Sequence, residues 1–326
     1  MFNYILRRLA YALPILLGVN FITFALFFMV ITPDDMARLH LGDKHITQEQ
    51  TKQWKHERGY DRPLFINSAH QDIEVIKDTI FYQKSVRLFF LDFGTSDADR
   101  RDINYDISQR VWPSIAIAVP TFVVGLLVNI TMAMLLVFFR GTQLDTMAVV
   151  MTVILMSISS LFYIIAGQFL MSKLWHLTPI SGYELGFDAW RFLILPVVIG
   201  VISGMGAGTR WYRSIFFEEI NRDYVRTARA KGVPELKVLF RHVLRNAMVP
   251  ILTGVVVVIP ALFMGSLIME TFFAIPGLGS YTIEAIQSYD FAIVRSMVFL
   301  GSVLYIIGLV LTDISYTWVD PRVRLS

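Results

Sequence analysis

The chain contains no cysteine, which excludes disulfide frameworks, thiolate zinc sites, iron–sulfur clusters and cysteine nucleophiles. Charge is scarce as well: 17% of the 326 residues are charged, against about 25% in a soluble domain. A formal net charge of +3 provides no basic face of the kind nucleic acid requires. There is no G-x-x-x-x-G-K-[ST] phosphate loop and no H-E-x-x-H pair. What the chain has in excess is apolar side chains, at 55%. That excess excludes disorder and leaves an integral membrane protein.

A helix needs roughly 20 successive apolar residues to cross the hydrocarbon layer. Six runs approach that length, at 9–31, 112–139, 146–171, 192–209, 249–269 and 293–314. Arg7 and Arg8 precede the first run, which exceeds a signal-peptide core and lacks a small-x-small site at Val30-Ile31-Thr32-Pro33. It reads as an uncleaved anchor with a cytoplasmic N-terminus, and an even number of spans returns the C-terminus to the same side. Arg210, Arg213, Arg222, Arg226, Arg229, Lys231, Lys237, Arg241 and Arg245 outnumber Glu218, Glu219, Asp223 and Glu235, so the segment between runs four and five is expected inside. Trp112, Trp175, Trp190, Trp211 and Tyr212 sit where run ends meet headgroups. Ionisable groups almost avoid the runs; Glu270, Arg295 and Asp313 fall near ends, where interfacial water is expected to reach them. Any transport energy is therefore expected from another subunit.

Residues 33–109 form a polar excursion. Thr47-Gln48-Glu49-Gln50 has the spacing of a capping box and predicts a helix over 47–58. Asp61-Arg62-Pro63-Leu64-Phe65 reads as extended, because the residue before proline avoids the α region. His40, His45, His56 and His70 fit no ligand spacing and read as solvated loop residues. In the fourth run, Gly204, Ala207 and Gly208 read as a close-packing surface rather than a nucleotide loop, since no strand precedes them.

The basic segment carries a turn. Gly232 can leave a helix in a left-handed conformation and Pro234 suits the first turn of the next. Beyond it, Leu236, Leu239, Phe240, Val243, Leu244 and Ala247 follow helical spacing beside a stripe of Lys237, Arg241 and Arg245. Pattern alone leaves two readings open: an amphipathic helix pair on the inner leaflet, or a rigid elbow docking into a soluble partner.

The residues themselves carry a resemblance. Asp223-Tyr224-Val225-Arg226-Thr227-Ala228-Arg229-Ala230-Lys231-Gly232, followed by Arg241-His242 and Asn246-Ala247 with Pro250, resembles the EAA loop of bacterial ABC importer permeases, most closely the oligopeptide/dipeptide/nickel branch. Arg7-Arg8 with Pro14, Tyr60-Asp61-Arg62-Pro63-Leu64, Leu91-Asp92-Phe93-Gly94-Thr95-Ser96, Pro179-Ile180-Ser181-Gly182-Tyr183, Glu270 through Gly279, and Asp320-Pro321-Arg322 match other elements of that branch in order. Thr32-Pro33-Asp34-Asp35 departs from the branch's Pro-Gly-Asp-Pro, and Arg226 stands at a position usually acidic.

The resemblance implies an all-α integral membrane protein of six transmembrane helices in the bacterial inner membrane. Residues 1–32 would be the tail and first helix, 33–110 an extracytoplasmic insertion, and 111–326 a five-helix core with a coupling loop at 214–248 and an outer loop at 270–292. Implied partners are a second homologous permease, two cytoplasmic ABC ATPases that bind ATP and magnesium, an extracytoplasmic solute-binding protein and membrane lipid. No cofactor, metal or catalytic residue is implied in this chain. Asp223, Tyr224, Arg226, Thr227, Ala228, Arg229, Lys231, Gly232, Pro234, Arg241 and Asn246 would couple to the ATPase. Glu270, Pro276, Gly277, Leu278 and Gly279 would form an outer gate or binding-protein contact, with a short helix over 281–289. Peptides are the implied solute, with a nickel complex, or a non-transporting membrane anchor, as alternatives.

Overall fold

A computed structural model describes residues 2–42, 47–68, 74–184, 186 and 188–319. His45, His70 and Asp320-Pro321-Arg322 lie outside those residues. Among the described residues the chain is helical, without a strand; one antiparallel bridge joins Thr95 and Asp102. Five helices are long and apolar enough to cross a membrane: Ala10–Val30, Ile103–Phe138, Ala189–Ile220, Glu235–Leu262 and Phe291–Ser315. A bent pair, Gln143–Ser157 with Ser160–Leu174, passes the same test taken together and gives a sixth span if the pair is one broken helix.

Two of the expected runs are corrected. The third is not one rod, because its halves meet at 89° across Ile158 and Ser159. Tyr163 Oη, in the second half, donates to the Leu155 carbonyl at 2.9 Å, so the break does not strand that acceptor. The fifth ends at Leu262 rather than reaching Met269. Gly265 then turns the chain at φ 68°, and Ser266 caps a separate short helix, Leu267–Phe272, by accepting from Met269 N at 3.4 Å.

The chain forms two compact units. The first comprises Met1–Trp112 with Leu278–Val310. Its core gathers Phe24, Phe28, Met36, Trp54, Tyr60 and Ile80, with Phe28 and Tyr60 edge-on at 5.5 Å. The predicted capping box exists: Thr47 Oγ1 accepts from Gln50 N, Gln50 Oε1 accepts from Thr47 N, and the helix Gln48–Arg58 ends at Gly59 in the left-handed region. Thr32 and Asp35 build a second box at the start of Pro33–Leu41, which holds the exposed Asp35 carboxyl below its usual range through the Thr32 hydroxyl and amide. The departure from the family at this point is thus a complete helix start. The stretch 61–65, expected to be extended, is a series of bends without a strand, and the carbonyls of Pro63 and Leu64 accept from Ile80 N and Phe81 N. His56 is not merely solvated, since its Nδ1 lies 2.6 Å from Asp61 Oδ2. No cluster of three metal-ligating side chains occurs among the described residues.

A polar knot pins the excursion to the start of the sixth span. The Asp97 carboxylate accepts from Tyr60 Oη at 2.8 Å and Ala292 N at 3.0 Å. The Asp290 carboxylate accepts from Ser96 Oγ at 2.5 Å, Ala98 N at 3.1 Å and Ile293 N at 3.1 Å. Arg58 donates to the Asp97 carbonyl through Nε and Nη2. Arg295, expected near interfacial water, is instead buried.

The second unit comprises Pro113–Gly277 with Leu311–Ser326. Glycine does open close approaches here, at positions partly different from those expected. A Cβ on Gly206 would come within 2.7 Å of the Thr152 carbonyl, and one on Gly208 would strike the Asn129 amide, whereas Gly204 faces open space.

Burial, and then the neighbouring Arg295 charge, pull the Lys84 ammonium down to about 8 from the ordinary 10.5, with Asp97 opposing. Between those values the unfolded chain holds the proton that the folded chain has released, so stability rises with pH across that window and levels off above it. Relative to Lys84→Met, the natural chain in chloride buffer is expected to gain up to about 3 kcal/mol between pH 8 and 10.5; parallel pH profiles of the thermal midpoint would refute this.

Candidate functional site

The basic elbow is built on a shared apolar core. In the helix Asp223–Ala230, Val225 and Ala228 are buried, and they pack with Val238, Leu239, Val243, Ala247 and Ile251 beyond the turn and with Val137, Phe216 and Ile220 of the second and fourth spans. Gly232 takes φ 75°, with Gly232 N donating to the Arg229 carbonyl at 2.9 Å and Val233 N to the Ala228 carbonyl at 3.2 Å. This is the left-handed helix exit that an L side chain adopts only with strain. Pro234 sits in extended conformation immediately before the next helix, Glu235–Val238, rather than within its first turn.

One ion cluster clamps the two arms. Arg229 donates to Glu235 through both Nε (3.0 Å) and Nη2 (2.7 Å), and Arg140 Nη1 adds a third bond at 3.3 Å. A bidentate fork fixes orientation as well as distance. Tyr224 Oη donates to Glu219 Oε2 at 2.5 Å; partial burial and that carboxylate push its phenol up to about 12. Asn246 Nδ2 donates back to the His242 carbonyl. Asp223, Arg226, Thr227, Lys231, Gly232, Pro234, Lys237, Arg241, Arg245 and Asn246 are exposed.

The apolar stripe expected beyond the turn is only partly inward. Leu239, Val243 and Ala247 are buried, but Leu236 and Phe240 are 59% and 61% exposed. A π-helical turn at Leu239–Val243 winds the stretch more widely than an α-helix. Leu236, before that turn, and Phe240, within it, stand on the outer face with the lysines and arginines. Also absent from the sequence reading was the clamp Arg140–Glu235–Arg229, whose first member lies in a distant segment.

The predicted outer residues fall in both units. In the second unit, Glu270 is fully buried, contrary to the expectation of interfacial water. Its Oε1 accepts from Ser114 Oγ at 2.8 Å and Ser266 N at 3.0 Å, and its carbonyl accepts from Ile275 N at 2.9 Å. A Cβ on Gly277 or Gly265 would collide with this carboxylate and with Ser114 Oγ, so both glycines let the chain close around it. Phe273 and Ile275 anchor the turn in a cluster with Ile117, Ile164, Leu195 and Ile199, while Pro276 is exposed. In the first unit, Leu278 and Gly279 open the helix Leu278–Gln287, which starts earlier than the expected 281–289. Both are buried there, so Leu278 is not presented as a surface contact. Tyr281 of that helix donates to Asp106 Oδ2 at 3.2 Å.

Residues 129–325 match the family described as the inner membrane component of binding-protein-dependent transport systems, and residues 1–126 match the N-terminal part described for the same components. The chain belongs to this family. Among its relatives, a Brucella abortus protein named as a peptide transport system permease is 34% identical over 325 residues, covering 98% of each chain. The dipeptide transport system permease of Escherichia coli is 29% identical over 352 residues, and the glutathione transport system permease of Salmonella typhimurium 29% over 324, each covering 99% of both chains. As a member of the family the chain is a permease component of an ABC transporter and not an enzyme.

Glu270 tests the turn around it. Glu270→Leu removes the acceptor of the Ser114 hydroxyl and the Ser266 amide, and is expected to lower stability by about 2 kcal/mol, with Ser114→Ala costing about 1 kcal/mol. Thermal unfolding of the purified proteins in one detergent checks both, and midpoints equal to the parent's would contradict the buried acceptor role.

Proposed function

We propose that this chain lines half of the pathway of an ATP-driven importer of peptides or peptide-like solutes. It pairs with a second homologous permease, two cytoplasmic ATPases and an extracytoplasmic binding protein. Both termini lie in the cytoplasm, residues 33–110 lie outside, and the elbow at 223–247 fits the ATPase. The names of the relatives support the solute class. The carrying observation is the two-faced elbow: its apolar side is sunk in the unit's own core, while its outer side carries Arg226, Lys231, Lys237 and Arg241 with the exposed Leu236 and Phe240. A helix pair lying on lipid turns its apolar side outward to the acyl chains. Here most of that side is occupied by protein, and the few outward apolar residues stand among cations, the composition of a protein-docking surface rimmed with charge.

In this reading, ATP favours one arrangement of the ATPase pair, and the elbow follows because it docks better in that arrangement. The clamp and the fixed turn at Gly232 move the elbow as a body, so displacement reaches the fourth and fifth spans through Phe216, Ile220 and Ile251.

Leu236→Asp with Phe240→Asp leaves the buried core intact and is expected to give a folded permease whose copurified ATPase falls at least about tenfold. Gly232→Val, which forces a β-branched residue to positive φ, is expected to lose solute-stimulated ATP hydrolysis. Full retention of assembly and of coupled hydrolysis in both variants would remove the docking role.

A further inference from the structure

The first unit holds a polar cavity of about 370 Å³ whose walls include Gln83, Lys84, Arg87, Asp92, Asp102 and Arg295. Its acids are engaged. Asp92 pairs with Arg87 and accepts from Gly94 N, while Asp102 Oδ1 accepts from Asn104 N at 2.8 Å and Tyr105 N at 3.3 Å. Behind the walls, Asp97 and Asp290 are occupied by Tyr60, Ser96 and the backbone amides already described.

Two cations are left without a carboxylate of their own. Arg295 is 4% exposed; its Nε donates to the Phe291 carbonyl at 3.2 Å, its Nη2 to Tyr60 Oη at 3.3 Å, and its plane lies 4.6 Å from the Phe28 ring centre. Its Nη1 is buried with no hydrogen-bond acceptor. The Lys84 ammonium lies 4.9 Å from the Tyr60 ring centre and forms no ion pair among the described residues. Buried guanidinium and ammonium groups are ordinarily paired, since an unpaired charge out of water is costly. Arg62 and Arg100 add positive potential at Lys84, and Asp97 is the counter-charge.

We infer that this cavity is a binding site for a compact oxyanion, a carboxylate or phosphate, held between the Lys84 ammonium and the free edge of the Arg295 guanidinium. Arg295 Nη1, the guanidinium nitrogen left without an acceptor, can donate to one oxygen of such a group, and the ammonium supplies a point charge from a second element. Burial first, and the crowding of cations second, depress the proton affinity of Lys84, and an entering anion offsets the second. The site does not depend on which solute the transporter carries. A free anion and a lipid headgroup phosphate share the chemistry, and the experiment separates them.

The full chain, reconstituted in phosphatidylcholine nanodiscs, is to be unfolded thermally in chloride, inorganic phosphate or acetate at one ionic strength, and again with phosphatidylglycerol in the disc. A higher midpoint in phosphate or acetate, absent in Lys84→Met and kept in Lys84→Arg, establishes a free-anion site. A rise with phosphatidylglycerol alone, likewise absent in Lys84→Met, assigns the phosphate to a headgroup. No rise with any of the three, or an equal rise in Lys84→Met, overturns the site. Should Lys84→Met fail to fold, Gln83→Glu brings a carboxylate into the same cavity; it is expected to raise the midpoint in chloride and to reduce the response to the anion that acted on the parent chain. An undiminished response in Gln83→Glu overturns the inference.

Discussion

A chain that crosses hydrocarbon has no water to complete its backbone hydrogen bonds, so it can leave the helix only where something else completes them. That constraint accounts for where this protein bends. At the break in the third passage, Tyr163 reaches back to the Leu155 carbonyl. Gln168, in the same passage, donates to the carbonyls of Ile180 and Phe272, each in a non-regular or terminal stretch. After the fifth span, Glu270 collects the Ser266 amide and the Ser114 hydroxyl. Each bend is paired with a side chain from elsewhere in the unit, which makes the bends fixed features of shape rather than points of slack.

Much of this was legible in the sequence, and what was not has a physical reason. Apolar run length located the five long apolar helices and the bent pair, because burial in hydrocarbon requires it whatever the tertiary structure. Run length is blind to direction, however. Ser157-Ile158-Ser159 contains neither proline nor glycine, and both arms are equally apolar, so nothing in composition marked an 89° corner. Local motifs read well when all their partners lie within one turn, as with Thr47 and Gln50. They failed when the partner was remote. Glu270 and Arg295 near run ends suited contact with water, yet Ser114 and Tyr60, distant in sequence, complete their burial. The elbow illustrates the same limit at shorter range: spacing identified the helix after Gly232, but not its π-helical turn or the outward placement of Leu236 and Phe240.

The distribution of arginine separates two uses of one residue type. Arg226 is solvated, with only the exposed Asp223 at 3.6 Å, and such pairs contribute little to stability. Arg229 is half-buried and held in a bidentate clamp, where the geometry of the fork sets the angle between two helices. Arg295 is buried against an aromatic ring with one edge open, where an unmet donor has a consequence for binding. Sequence shows three arginines; only burial and partner count distinguish a solvated surface charge, a brace and a buried donor left unmet.

The brace bears on how a transport component of this family can respond to a partner it does not resemble. Coupling over distance needs an element with discrete arrangements and a stiff connection to it. The elbow supplies stiffness from three sources of different kind: a backbone angle at Gly232 that few residues tolerate, an ion clamp across the turn, and an apolar core shared with the second, fourth and fifth spans. The docking face has no such support, since its cations and its two exposed apolar side chains contribute little to the fold. Fold and interface are thus drawn from separate residues on the same helices, which allows the surface to be matched to a partner without loosening the lever beneath it.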